Sequence, residues 1–267
     1  MANKTPLAAW LYSKRHELNP RFKEFSWSNR ILPGLHDFST TLSWDGTEAK
    51  GRGVDSSREI ALEKSVAEAI ERLICKSLGF DSVGFAIGST YDPIDHASHE
   101  ALERFYLKKH LKEKIPFHQI FLESIDTKKF RNLNPESELS FYKMQTPQEL
   151  FGLVCSMKVT SGGATAFGFA LSNSLEKSIQ RSLLEALPNF AWLTDENKKS
   201  DVELPWHIDS KFLSQIEPLL VCDIDADDFR TDIPMLKRVH VDHSQVSILS
   251  SAPIQTARFV AETADGQ

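Results

Sequence analysis

Cysteine is scarce in this 267-residue chain: Cys75, Cys155 and Cys222 stand far apart and form no CxxC pair. An odd, scattered set argues against a disulfide framework and against a cysteine-rich zinc site. An excess of positive charge is missing too. Lys and Arg number 31 against 37 Asp and Glu, a formal charge of −6 with a pI near 5.9. Bulk attraction to nucleic acid or to an anionic membrane is therefore not expected. Long apolar runs are absent as well. The longest, around Leu150 to Met157, falls far short of the roughly 20 residues that span a bilayer. The opening MANKTPLAAWLYSKRH has too short an apolar stretch for the core of a signal peptide. The expected compartment is the cytoplasm, with neither nucleic acid nor membrane among the partners.

Several catalytic signatures are lacking. No GxSxG is present, so an α/β-hydrolase nucleophile elbow is unsupported. Ser161-Gly162-Gly163 lacks the GxxxxGK[ST] pattern of a phosphate-binding loop. Asp223-Ile-Asp225-Ala-Asp227-Asp228 begins like a calcium loop, but Asp228 stands where glycine is needed and Pro234 where glutamate is needed. It reads as an acidic loop. His240 and His243 fall on a strand or turn that would not aim both at one metal. Glu196 to Asp201 reads as an exposed charged loop, and Cys75 as a small buried helix residue.

What remains is a chain that is 41% hydrophobic and 25% charged, enough apolar content for a sizeable core. The first fifty residues read as short strands and loops. Asp55, Ser56 or Ser57 can cap a helix from Arg58 to about Leu78, whose apolar positions Ile60, Ala61, Val66, Ala67, Ile70, Leu73 and Ile74 recur at helical spacing before Gly79 stops it. A strand is expected at Val83 to Ile87 and a second helix from about Asp95 to Glu113. Strands are expected at Leu153 to Lys158 and Ala164 to Leu171. Ser172 or Ser174 caps a third helix that Pro188 bends or ends. Pro234 to Val241 and Val246 to Leu249 read as two further strands. Helices and strands alternate without linker-like composition, so the expected fold is α/β (α+β) in one domain.

Internal similarity is the most informative signal. Lys64 to Arg72 (KSVAEAIER) can be laid on His96 to Arg104 (HASHEALER) at an offset of 32. Arg181 to Leu187 (RSLLEAL) fits the first copy at an offset of 117, matching Ser182 to Ser65, Glu185 to Glu68 and Ala186 to Ala69. Each copy follows a glycine-containing segment, which suggests three strand–helix units. At about 100° per residue, Ser65, Glu68, Glu71 and Arg72 share one face of their helix, as do Glu100, Glu103 and Arg104 on theirs. One reading is a solvated face of i,i+4 ion pairs. The other packs the helices side by side, so that five carboxylates converge and need divalent cations to neutralise them, with arginines placed for phosphate oxygens. From spacing alone the two readings stand level.

Ser65-x-x-Glu68-x-x-Glu71-Arg72 resembles the SxxExxER signature of the YcaO family of ATP-dependent peptide-modifying enzymes. ASHEALERF resembles that family's second Glu/Arg helix, SGGATAFGFALSNSLEKSIQRSLLEAL its third, and DIDADDFRTDIPMLKRVHV a strand late in the domain. The resemblance spans about residues 45 to 245. It implies an N-terminal segment over 1–44, an ATP-binding domain over 45–250 with a Mg-ATP site between the helices, and a short tail over 251–267. It implies Glu68, Glu71, Glu100, Glu103 and Glu185 as Mg²⁺ ligands, Arg72 and Arg104 as phosphate contacts, and Ser65, Gln180 and Arg181 as nucleotide contacts. Asn189, behind Pro188, stands where the family has a Gln, and a proline-rich C-terminus is replaced by RFVAETADGQ. The implied cofactors are ATP and Mg²⁺. The implied activity is cyclodehydration of Cys, Ser or Thr to azolines in a ribosomally made peptide. Thioamidation is the alternative, as is a nucleotide-binding accessory factor for modification of a ribosomal protein. A peptide substrate and a partner protein that recognises it are the implied partners, and a homodimer is left open.

Overall fold

A computed structural model describes residues 6–89, 92–120, 137–159, 165–193, 214–221 and 234–262. Six α-helices and three sheets are present among the described residues, a mixed α/β fold. No described helix is long and apolar enough to cross a membrane. Contacts divide the chain into two compact units: Met1–Ser26, Gly34–Leu102 and Met235–Gln267 in the first, Trp27–Pro33 and Glu103–Pro234 in the second. One of the four points where the chain crosses between them falls inside a helix, between Leu102 and Glu103, where no linker composition could mark it.

The first unit opens with α1 (Pro6–Ser13) and α2 (Arg15–Leu18), followed by β1 (Arg21–Phe25). The first fifty residues thus contain helices where only strands and loops were expected, because Leu7, Trp10, Leu11 and Leu18 turn inward onto the core. Two nine-residue strands, β2 (His36–Trp44) and β3 (Thr47–Asp55), pair along their whole length, from His36 opposite Asp55 to Trp44 opposite Thr47. Asp45 and Gly46 both have positive φ, 47° and 73°, the geometry of a tight two-residue hairpin turn. Next comes α4 (Arg58–Leu78), capped by the Ser57 hydroxyl accepting from the Ile60 N–H and ended by Gly79 at φ 73°. Ile70, Leu73 and Ile74 are fully buried on its inner face. The second sheet sets β4 (Phe85–Gly88) against β11 (Gln255–Glu262), which pairs in turn with β10 (Met235–Arg238).

Val246 to Leu249 form 3-10 turns, His243–Gln245 and Ser247–Leu249, not a strand. Asp242 accepts from the Ser244 N–H at 3.0 Å and starts the winding. The tight turns let Val246, Ile248 and Leu249 all enter the core, which an alternating strand would not permit.

In the second unit α3 (Trp27–Ile31) packs against α6 (Leu175–Leu193). The helix α5 (Ile94–Glu113) enters this unit from Glu103 onward. The sheet runs β8 (Thr165–Ser172), β7 (Phe151–Val159), β6 (Ser137–Lys143), β5 (Phe117–Ile120) and β9 (Leu220–Val221). All neighbours are antiparallel except β5 and β9. Leu107, Phe117, Val154, Phe167, Phe169 and Ile216 form the core on one face of this sheet, and α6 covers the other face at β8 and β7. Pro188 lies inside α6 and does not end it. Its missing N–H removes the helical partner of the Leu184 carbonyl, and one residue on the Asn189 side-chain amide donates to the Glu185 carbonyl at 2.8 Å.

The two units repeat one local construction. A Cβ at Gly51 would collide with the Ser65 carbonyl and the Ala69 amide of α4. One at Gly168 would collide with the Ser182 carbonyl and the Ala186 amide of α6. These are the positions paired by the 117-residue offset. The other copy departs from the pattern. β4 is four residues long and finds its partner in β11 near the chain's other end, not in a preceding hairpin strand. The expected Ser161–Gly163 turn, the 196–201 loop, the 223–228 acidic loop and Cys222 lie outside the described residues.

Because the atoms met are helix backbone, which cannot swing aside as a side chain can, Gly51→Ala and Gly168→Ala should each lower stability by about 2–3 kcal/mol. Urea unfolding of each variant against the wild type measures this, and a loss of only a few tenths would contradict it.

Candidate functional site

Glu68 leaves α4 toward β3, the edge strand of its sheet. Its Oε2 accepts the outward N–H of Arg52 at 2.6 Å, and its Oε1 receives Arg72 Nη2 at 2.5 Å. Arg72 lies one turn on in the same helix and also donates through Nη1 to the Lys50 carbonyl at 2.8 Å. Glu71, on the neighbouring stripe, accepts the Ile87 N–H of β4 at 3.0 Å. Burial raises the Glu71 carboxyl well above its ordinary pKa. The Ile87 amide opposes the shift, the like charges of Glu100 and Glu68 add to it, and Arg72 offsets part of it.

Behind Glu68 stands an ion pair that the sequence reading did not single out. Asp37 on β2 has no exposed surface and grips Arg52 through Nε at 2.9 Å and Nη2 at 2.8 Å. The same Arg52 whose backbone holds Glu68 is thereby clamped by its side chain. A Gly-Arg-Gly step at residues 51–53 was the available signal, since a charged residue between two glycines on a strand needs a specific partner. Ser65 is fully buried, its hydroxyl donating to the Leu62 carbonyl at 2.8 Å and meeting Thr40 Oγ1 at 2.7 Å. Both partners are internal, so here it joins helix to strand.

The second unit carries its own acidic group. Glu185 on α6 accepts the Phe169 N–H of edge strand β8 at 2.8 Å, the counterpart of Glu68 on Arg52. Arg104 lies 3.4 Å from Glu103 and 3.5 Å from Glu185, with its guanidinium 5.9 Å above the Phe169 ring. Burial pushes the Glu185 carboxyl up to about 7; Arg104 opposes this, and the negative charge of Glu103 adds to it. The Glu185 side chain keeps 28% of its surface open, so it is enclosed yet reachable. Arg181 precedes Glu185 by one helical turn on the same face, while Gln180 is exposed on another. Both described cysteines are buried, and burial raises their thiols, Cys75 to about 12. Neither is a ready nucleophile.

The structure thus brings Glu68, Glu71, Arg72 and Glu100 together in one unit, and Glu103, Arg104 and Glu185 in the other. Among the described residues no three acidic, histidine or cysteine side chains already stand in ligating positions. The donor chemistry nonetheless fits a hard divalent cation. The groups are carboxylate oxygens near like charges, with Glu71 and Glu185 desolvated, and Glu68, Glu71 and Glu185 are each fixed at one oxygen by a backbone N–H.

The sequence matches no family model and no curated protein. Solved structures are similar. A YcaO from Methanopyrus kandleri, bound with AMPPCP and Mg²⁺, is 12% identical with a TM-score of 0.58, over 95% of this chain and 88% of that one. A heterocyclase in complex with substrate and cofactor is 13% identical with a TM-score of 0.62, over 96% of this chain and 52% of that one. The chain spans about half the length of the heterocyclase. Its hairpin–helix units and mixed sheets therefore belong to an architecture shared with these two proteins. That architecture is a YcaO-like fold.

Two outcomes follow for stability. The Glu185 carboxyl holds its proton more tightly folded than unfolded, so its contribution is present below pH about 4.5 and is lost as pH rises through about 7. In metal-free buffer the unfolding midpoint should fall between pH 5.5 and 7.5, and Glu185→Gln should shrink that fall; equal slopes would show that Glu185 is not responsible. Removing Asp37 leaves the guanidinium of Arg52, only 20% exposed, without its counter-charge. Asp37→Ala should cost about 3 kcal/mol in denaturant unfolding, with Asp37→Asn costing less.

Proposed function

We propose that this chain binds ATP with Mg²⁺ and spends the γ-phosphoryl group on activating a peptide backbone amide. One observation carries the reading: buried, mutually repelling carboxylates pinned to strand edges, with an arginine beside each set, in a fold similar to a YcaO bound with AMPPCP and Mg²⁺. Glu68, Glu71, Glu100, Glu103 and Glu185 are the proposed Mg²⁺ ligands. Magnesium keeps open positions for phosphate oxygens, and Arg72 and Arg104 are the proposed contacts to those oxygens, through planar, always-charged forks. Arg181, one turn from Glu185, is a further nucleotide contact. Buried Ser65 and outward Gln180 stay outside this set.

The chemistry asks mainly for charge neutralisation and alignment. A nucleophile adds to the amide carbonyl, and the resulting oxyanion takes the γ-phosphoryl group, releasing ADP. Phosphate then departs with the former amide oxygen. With a neighbouring Cys, Ser or Thr of the peptide as nucleophile, the product is an azoline and the peptide has lost water. With sulfide as the nucleophile, the product is a thioamide. The buried, high-pKa thiols of Cys75 and Cys155 favour a nucleophile supplied by the substrate or by a small sulfur donor over either of these two cysteines. Peptide recognition is shared with a partner protein.

Calorimetric titration of ATP into the full chain tests the reading. Saturable binding that requires Mg²⁺ and weakens at least about tenfold in Glu68→Gln and in Glu103→Gln is expected. Mg²⁺ should also raise the unfolding midpoint more at pH 8 than at pH 6, because it competes with the proton on Glu185. Binding that ignores Mg²⁺ and both substitutions would overturn the assignment. Nucleotide binding without turnover of any peptide would leave the accessory-factor role.

A further inference from the structure

The second unit holds a cavity of about 470 Å³ on the face of its sheet turned away from α6, within the roughly 300–1,000 Å³ range of small-ligand sites. The strand alternation makes its floor. Ser156 stands between Ser140 and Phe167 across neighbouring strands, and Lys158 between Glu138 and Thr165. All six line the cavity, with Glu217 at the rim. Gly168 and its alternates face α6 instead.

Two hydroxyls here are unusual. Ser156 is 7% exposed and Thr165 5% exposed, and neither side chain has a hydrogen-bond partner among the described residues. Each residue is more than nine-tenths buried while its oxygen stays open to the cavity, so both hydroxyls can exchange water for a polar group of a ligand. Both open into the cavity. The charged groups are uncommitted in the same way. Lys158, Glu138 and Glu217 form no ion pair among the described residues, although Glu138 and Lys158 are register partners. The wall is therefore a mixture of hydroxyls that can donate or accept, an aromatic ring, one cation and two anions. Amide groups of a peptide match the hydroxyls, and the surplus of one negative charge favours a positive side chain. Position points the same way. Phe167 and Phe169 are successive residues on one strand face, about 7 Å apart, and Phe169 lies beneath Arg104.

We infer that this cavity binds a short polar segment of the peptide substrate, neutral or carrying one positive charge, and feeds its backbone toward the Arg104–Glu185 group. The identity of the ligand as substrate rests on the proposed function; the existence of the site rests on the cavity and its unpaired hydroxyls.

The test uses the full chain, labelled with ¹⁵N, and two blocked tetrapeptides, Ac-Gly-Ser-Lys-Gly-NH₂ and Ac-Gly-Ser-Asp-Gly-NH₂. Saturable shifts at Ser156 and Thr165 are expected, with the lysine peptide binding at least about threefold more tightly. The double variant Ser156→Ala, Thr165→Val should lose saturation while its unfolding midpoint stays level or rises, since no internal bond is removed. No saturable binding of either peptide, equal binding by the double variant, or preference for the aspartate peptide would overturn the inference. A parallel Mg-ATP titration of the wild type separates the two readings. Nucleotide binding without peptide binding removes the pocket alone, and peptide binding without nucleotide binding removes the nucleotide site and leaves an oligopeptide pocket.

Discussion

A helix laid directly on the edge of a hairpin is the contact on which both units depend. Gly51 and Gly168 have no side chain to hold α4 and α6 away from β3 and β8. The helix backbone therefore comes close enough for a glutamate one turn along to reach an outward-facing strand N–H. A carboxylate that would roam on an exposed helix face is fixed in position before any ligand arrives. Preorganisation of this kind lowers the ordering cost of binding.

Fixing the carboxylates carries an electrostatic penalty. Glu71 is crowded by Glu100 and Glu68, Glu185 by Glu103, and burial strips water from both. Arg72 and Arg104 relieve only part of this. The two sets are built differently around the same glutamate position. Arg72 follows Glu68 by one turn, whereas Asn189 follows Glu185 at that spacing and gives its amide to the Glu185 carbonyl beside Pro188. In the second unit the guanidinium comes from α5 instead. The Asp37–Arg52 clamp belongs to the same economy of charge, since it holds from behind the residue whose amide holds Glu68.

Legibility followed local periodicity. The α4 boundaries could be read closely because Ser57, the apolar stripe and Gly79 all mark them, and the strands over β7 and β8 are near-continuous apolar runs. Glu68 and Glu185 were paired by sequence similarity, and the structure gives that pairing a physical content in the shared strand-edge hydrogen bond. What stayed hidden was set by distant contacts. Nothing local says that Leu7, Trp10 and Leu11 form a helix, that Val246 to Leu249 wind into 3-10 turns, or that β4 pairs with β11. Asp37 was invisible because its role depends on Arg52 in the facing strand. Pro188 looked like a stop because a proline's local cost is plain, while the packing of α6 on β8 and β7 that carries the helix through it is set by distant contacts. The Ser156–Thr165 cavity could not be read at all, since serine and threonine on strands are ordinary until their partners can be sought in space.

Those strand-edge hydrogen bonds also guard against aggregation. β3, β4 and β8 each end a sheet, and a bare edge of unpaired N–H and C=O groups is a template for another chain. Glu68, Glu71 and Glu185 each take up one of those N–H groups, and Arg72 takes up the Lys50 carbonyl. The carboxyl groups proposed as Mg²⁺ ligands therefore also keep the sheets from growing, so that on this proposal solubility and ligand binding fall to the same few side chains.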